Sequence, residues 1–568
     1  MDNIRFALLC ALGVLCFMLF QAWQADYAPT PEAASQKQVA SADSNAQGGE
    51  SAAPPAAVAP ESGQSRAQPT PTEERSLQHA QSIHVVTDKL DVTIDTHGGD
   101  LRQIALLGVP VSAAEPHTPL HLIDDTPPNF FIVQSGLAGD GAPDHTTVYE
   151  SPEDSYRMAS NADVLRVPLT WSDESGHKVT KTYVFHRDSY RIDLEYKIKN
   201  DSDAAWDVSQ YVRFWRTPYQ AATGIPLNRP FLGVGWYEAA ADKEDSYHYE
   251  KRAEDKLTED PLSLTQKGGW LAMVQHYFVG AVIPPDGARV RYFARDMTTP
   301  AGADGFASGF ISASRTVDAQ EEIDLQNTMF IGPKNADDMA ATATGLDLTV
   351  DYGWFTVLAK PLFWVLNKLH TVAGNWGVAI LLLTLLIQIV FYKLSEKQYR
   401  AMARMRKFAP RMQQLKEQYG DDKQKLQSKM MELYKKEGFN PLAGCWPMLV
   451  QMPVFIAMYW VLRGAAELRL APFLWLQDLT APDPYYILPV IFGVTMFLQQ
   501  RMQTNVSMDP MQQRIMQMMP LGMAVFFAFF PAGLVLYYCF RSLLLIGQQW
   551  YIYRKLDAEG LGHSASAK

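Results

Sequence analysis

Four polar side chains and a guanidinium stand inside apolar runs. In TLLIQIVFY, Thr384 and Gln388 are four residues apart and share one face of a helix. In GLVLYYCFRSLLL, Tyr537, Tyr538 and Arg541 interrupt residues suited to lipid, and Tyr538 and Arg541, three apart, nearly share a face. An arginine at bilayer depth costs at least ~2.5 kcal/mol on insertion scales unless it faces protein or water. Hydroxyls, an amide and a cation lining one cavity would replace water around a polar or anionic segment. Snorkelling or a structural ion pair is the other reading of Arg541. Side chains lean toward the helix N-terminus, which here points away from the cytosol, and no acid stands inside the apolar run, Asp509 for example lying in a loop.

Apolar helices must position these groups. The chain has 568 residues, 47% hydrophobic, with a formal charge of −11. That charge describes no single compartment, because the stretch from about Asp26 to Asp351 is polar and that from Trp354 onward is mostly apolar. Five spanning helices are expected there: Trp376–Tyr392, Leu442–Leu462, Tyr486–Gln499, Met516–Phe530 and Ala532–Ile552, with a tight hairpin at Phe530-Pro531-Ala532-Gly533. Ile4 to Trp23 reads as a further span, an uncleaved signal anchor, since no small-residue cleavage site follows it. Counting from the outer helix ends at ~1.5 Å per residue, Gln388 lies about 18 Å deep and Arg541 about 14 Å. A shared wet cavity in the inner half of the bilayer fits both.

Between Tyr392 and Leu442 there are 13 Lys/Arg against 6 Asp/Glu, which makes that loop cytoplasmic. Six spans then leave both termini cytoplasmic and the polar region outside. The loop reads as an antiparallel helical hairpin over 395–437. Ser395 and Gln398 form a capping-box pattern, and Gly420-Asp421-Asp422 closes one helix and caps the next. Its basic face, with Arg404, Arg406, Lys407 and Arg411, reads either as a solvated surface or as a docking surface for anionic lipid, ribosomal RNA or a partner.

The expected layout is an anchor over 1–25 and an Ala/Ser/Pro/Gln-rich disordered linker over 26–81. An all-β domain over 82–345 and an amphipathic interfacial helix over 351–371 follow, then a helical core over 372–555 and a tail over 556–568. Period-two stretches such as IHVVTDKLDVTIDT and KVTKTYVFHRDSYRIDLEYKIKN carry the β assignment. Cys10, Cys16, Cys445 and Cys539 all lie in apolar runs, which argues against a disulfide framework, and no pair has zinc-ligand spacing. His248 and His276 read as structural residues of the β domain.

At these residues the sequence resembles the YidC/Oxa/Alb family of membrane protein insertases. The likeness covers nearly the whole chain. It runs through Gly374-Asn375-Trp376-Gly377, Asn440-Pro441-Leu442, Gln451-Met452-Pro453, Asp483-Pro484-Tyr485-Tyr486, Asp509-Pro510-Met511-Gln512-Gln513 and Phe530-Pro531-Ala532-Gly533-Leu534. The resemblance implies a Gram-negative-type α-helical membrane protein with six transmembrane helices, five of them forming the insertase core. It further implies a periplasmic all-β supersandwich of the sugar-mutarotase type, in the bacterial inner membrane. It implies insertion and folding of nascent membrane proteins, alone or with the Sec translocon, with the ribosome and anionic lipids as further partners. No cofactor, no metal, no covalent catalysis and no small-molecule substrate are implied. A hydrophilic groove open to cytoplasm and lipid is implied, with Thr384 and Tyr538 at its threonine and tyrosine and client contacts near Met452, Pro453 and Phe455.

One departure stands out: the family's groove arginine falls at Gln388, and the proline usual five residues later is Lys393. Arg541, on the last helix, is the cation left to serve the groove. A transporter would call for a polar path through the whole membrane or internal repeats. A membrane-anchored carbohydrate enzyme would leave five helices unexplained. No P-loop is present, so nothing points to nucleotide-driven work.

Overall fold

The computed structural model describes residues 77, 79–218, 231–239, 247–300, 302–350, 352, 355–419, 422–436, 446–502 and 510–558; among these, the side chains of 401–410, 446–449 and 510–516, and a few others, are not described. The expected anchor and linker lie outside the described residues.

The period-two stretches form strands. IHVVTDKLDVTIDT becomes Ser82–Val86 and Leu90–Asp95, and the longer stretch becomes the hairpin His177–His186 with Arg191–Asn200. They belong to an 11-stranded and an 8-stranded sheet. In the larger, Trp206–Arg216 runs antiparallel between Phe131–Ala138 and Phe306–Ser312. The smaller ends at Tyr247–Ala253 on one edge and Val164–Ser172 on the other.

The sheets pack face to face. The Tyr183 hydroxyl donates to Gly99 O at 2.6 Å, and Lys181 Nζ donates to Gly98 O (2.8 Å) and Ser135 O (2.9 Å). Lys181 is fully buried. Burial pushes its ammonium down to about 7, and Asp100 opposes the shift. Gln134 joins the network, donating to Asp100 and accepting from Arg213, whose guanidinium also meets His145.

Asn335 caps the short helix Ala336–Thr342, accepting from Asp337 N and Asp338 N. Among the described residues eight longer helices follow: α1 (Thr356–Ala373), α2 (Trp376–Val390), α3 (Tyr392–Tyr419), α4 (Lys423–Lys436), α5 (Trp446–Gly464), α6 (Ile487–Met502), α7 (Pro510–Phe527) and α8 (Ala532–Ala558). No single described helix is long and apolar enough to cross a membrane. The pair Trp376–Val390 and Tyr392–Arg400, bent by 56°, could do so together by length and composition. α2 is apolar but short, at ~22 Å. α8 is long but carries polar residues along its length.

Ser395 is not a helix cap. Its N–H bonds Phe391 O at 3.0 Å inside α3, which starts directly after the bend. A run of good helix formers next to an existing helix elongates more cheaply than it nucleates afresh. Asp422 does cap α4, accepting from Lys425 N at 3.0 Å.

The β domain and the helices share one apolar core. Polar ties cross their junction: Arg469 donates to Pro110 O (2.9 Å) and Val111 O (2.7 Å), and Lys360 pairs with Asp347 at 2.7 Å.

Candidate functional site

Two turns aim α2 and α8. Gly374 ends α1 in the left-handed region (φ 68°). Asn375 then caps α2, accepting from Val378 N at 3.2 Å and donating to Pro472 O at 3.0 Å. A Cβ on Gly377 would lie 2.2 Å from the Phe473 ring, so only glycine lets that loop seat on the helix. At α8 the first-turn amides find carbonyls in the loop: Ala532 N bonds Ala481 O (2.7 Å) and Gly533 N bonds Leu479 O (2.8 Å). Asp483, buried in the same loop, accepts from Tyr485 N, Leu488 N and Trp475 Nε1. One loop thus pins the starts of α6 and α8.

α8 then carries a polar stripe. Tyr538, Arg541, Ser542 and Gln549 follow one another at helical spacings of three, one and seven residues and lie on one face. Tyr538 and Gln549 are buried and Arg541 is half-buried. The Tyr538 hydroxyl, Arg541 Nε and both polar atoms of the Gln549 amide have no hydrogen-bond partner among the described residues. Arg541 makes no ion pair among them either. It lies within electrostatic reach of the hydroxyls of Tyr399, Tyr537 and Tyr538.

Across from the stripe, Thr384 is buried and its hydroxyl back-bonds to Ile380 O at 2.6 Å. Gln388, also buried, donates to the Gln548 side chain, whose own amide reaches Tyr392 O at 3.4 Å. Gln388 therefore meets α8 seven residues past Arg541, about 10 Å further along the helix. The Tyr538 ring is walled by Phe455 (4.7 Å), Phe527 (5.2 Å) and Phe492 (6.2 Å). Met452 (47% exposed) and Phe455 (39%) open to the outside, with Pro453 between them inside α5. The arrangement has an apolar, open flank and a polar, unsatisfied wall. Such a wall can exchange hydrogen bonds with an incoming chain.

Toward the far end of α8, Tyr399 packs with Ile552 and Leu556 and seats α3 on α8. Arg411 is exposed on α3. The side chains of Arg404, Arg406 and Lys407 lie outside the described residues.

Two family models match the chain, "YidC periplasmic domain" over residues 82–365 and "60Kd inner membrane protein" over 368–559. Similar proteins named membrane protein insertase YidC occur in Thioalkalivibrio sulfidiphilus, at 43% identity over 99% of this chain and 100% of that protein. Another is in Nitrosococcus oceani, at 42% over 99% and 100%. The chain belongs to the YidC family of membrane protein insertases. A crystal structure of an active YidC insertase with its first transmembrane domain resolved aligns at TM-score 0.38 and 17% identity, covering 84% of this chain and 94% of that one. A galactose mutarotase related enzyme from Lactobacillus acidophilus aligns at TM-score 0.31 and 10% identity, over 44% and 97%.

Within this insertase, sequence reasoning picked out Thr384, Gln388, Tyr538 and Arg541 and passed over Ser542, Gln548 and Gln549. The signal for two of these was available: Ser542 and Gln549 lie four and eleven residues from Tyr538, on the same helical face. Gln548, seven residues past Arg541, falls at the edge of that face, but only the packing of α2 on α8 brings it to Gln388.

Proposed function

We propose that this insertase passes clients along a polar groove between α2 and α8, with Arg541 as the groove cation in place of the arginine missing at Gln388. The observation that carries this is the row of unpartnered groups on one face of α8: the Tyr538 hydroxyl, Arg541 Nε and the Gln549 amide. A groove part-way through the bilayer shortens the dry distance a hydrophilic segment must cross. Those groups replace some of the segment's water, and Met452, Pro453 and Phe455 give the arriving apolar helix a way into lipid. The membrane potential adds ~2.3 kcal/mol per charge per 100 mV.

In the same reading the chain has six spans, five of them forming the core, cytoplasmic termini and a periplasmic β domain. The α3–α4 hairpin, through Arg404, Arg406, Lys407 and Arg411, meets the ribosome or anionic lipid, and the Sec translocon shares part of the client load. The 13-to-6 basic excess of the hairpin loop supports this orientation.

The test is insertion of a short acidic-tailed membrane protein by Arg541→Ala, Gln388→Arg and the double variant, in cells depleted of the native protein. Arg541→Ala is expected to fail, and Gln388→Arg to restore it. Normal insertion by Arg541→Ala would show that the groove works uncharged.

A further inference from the structure

Three helices meet at one amide. α2 and α3 are joined by a 56° bend, and α8 runs past it. Gln548, half-buried on α8, uses both ends of its side chain there. Its Oε1 accepts from Gln388 Nε2, on the last turn of α2, and its Nε2 donates to Tyr392 O, the first carbonyl of α3, at 3.4 Å. Further along, the same stripe of α8 turns apolar: Ile552 and Leu556 follow Gln548 at spacings of four and pack on Tyr399 of α3. Apolar contact is non-directional, so it holds the two helices together without setting the angle between them. Hydrogen bonds have preferred directions, and these two lie on either side of the bend.

We propose that Gln548 is a positioning residue of this insertase: its amide clamps the bend between α2 and α3 and so fixes the direction in which the α3–α4 hairpin leaves the groove. α3 has 28 residues, an arm of ~42 Å, so a change of roughly 15° at the bend moves its far end by roughly 11 Å. The clamp also sorts the polar residues by role. With Gln388 and Gln548 bound to each other and to the backbone, the groups left to meet a client are the Tyr538 hydroxyl, Arg541 Nε and the Gln549 amide. A weakened clamp leaves those groups in place and changes where the hairpin points. The effect on insertion rests on the reading of the α2–α8 wall as the client's path; the geometry of the clamp does not.

Spin–spin distances in the full chain test it, between nitroxides at Val494 on α6 and Gln418 on α3, both exposed, with the four cysteines replaced by serine. The wild-type side chains at 388 and 548 are expected to give one narrow distribution. Gln548→Met keeps the length of the side chain and removes both bonds. It is expected to broaden the distribution by ~5 Å or more at the tip of that arm, and to slow client insertion about threefold to tenfold, the worth of one or two hydrogen bonds. Gln388→Met, which removes one bond, is expected to broaden it less. Gln388→Arg is expected to keep it narrow, since a guanidinium still donates to Gln548 Oε1. A wild-type distribution in Gln548→Met overturns the proposal and leaves the bend to the seat at Tyr399. So does equal broadening in Gln388→Arg and Gln388→Met, and that pair decides the matter if Gln548→Met does not accumulate. Broadening with insertion at the wild-type rate overturns the positioning role. The groove reading fails separately: Arg541→Ala leaves the clamp's partners intact and is expected to keep the narrow distances, so normal insertion by it overturns the groove cation alone.

Discussion

Two sets of buried polar groups in the molecule are treated differently. Inside the β domain, Lys181 donates to two carbonyls, and Gln134 links Asp100 to Arg213, which meets His145. The cations there have an acid within reach, Asp100, and its Oδ1 and the Tyr196 hydroxyl are among the atoms left over. On α8, the Tyr538 hydroxyl, Arg541 Nε and the Gln549 amide are equally removed from solvent and have no partner among the described residues. A satisfied network rigidifies a fold, while an unsatisfied row is a standing demand for water or a ligand. The first is therefore read as structure and the second as a site, although the residue types overlap.

Four substitutions sharpen or break that contrast, from the largest effect down. Lys181→Met strands two buried carbonyls and Asp100. It is expected to cost ~3–5 kcal/mol in unfolding of the β domain, followed by circular dichroism. A loss below ~1 kcal/mol would mean that the network is no more binding than the α8 row.

Next comes Glu467, in the short 3-10 turn after α5. Burial pushes its carboxyl up to about 7, and Asp337 and Asp338 add to the shift. The folded state then holds a proton that the unfolded chain releases near its ordinary value. Stability is fullest below that value and falls as pH rises toward 7. Glu467→Gln is expected to remove this decline, worth on the order of 2 kcal/mol between pH 5 and 8 in thermal unfolding scans. A variant that keeps the wild-type slope would assign the decline to other groups.

Gln549→Leu deletes two unpartnered polar atoms. It is expected to raise stability by ~1 kcal/mol while slowing insertion of clients with polar translocated tails. A destabilised variant would reveal that the amide is satisfied after all. The smallest thermodynamic effect belongs to Tyr538→Phe. Its melting should shift by less than ~0.5 kcal/mol because the hydroxyl has no partner to lose. Insertion should still fall about threefold, the worth of one hydrogen bond to the client. Unchanged insertion would demote Tyr538 to a ring in the Phe455–Phe492–Phe527 cluster.

Much of the architecture was legible in the chain because it rests on short-range periodicity. Period-two runs announced strands such as Leu90–Asp95, and the Pro531 break announced the start of α8. The errors came where one local signal competed with another. Ser395 looks like a cap, but α3 had already begun at Tyr392.

The amino-acid sequence alone determined the family, the β-then-helical order and the polar face of α8, because each is written in residues adjacent on the chain or one helical turn apart. Only the tertiary structure decided which polar groups are satisfied. Lys181 and Gly98 are 83 residues apart, and Gln388 and Gln548 are 160 apart. Hydrogen bonding depends on separations of about 3 Å in space, and at those sequence distances only packing sets them. The same Gln, Tyr and Arg side chain types became a largely closed network in one domain and an open wall in the other.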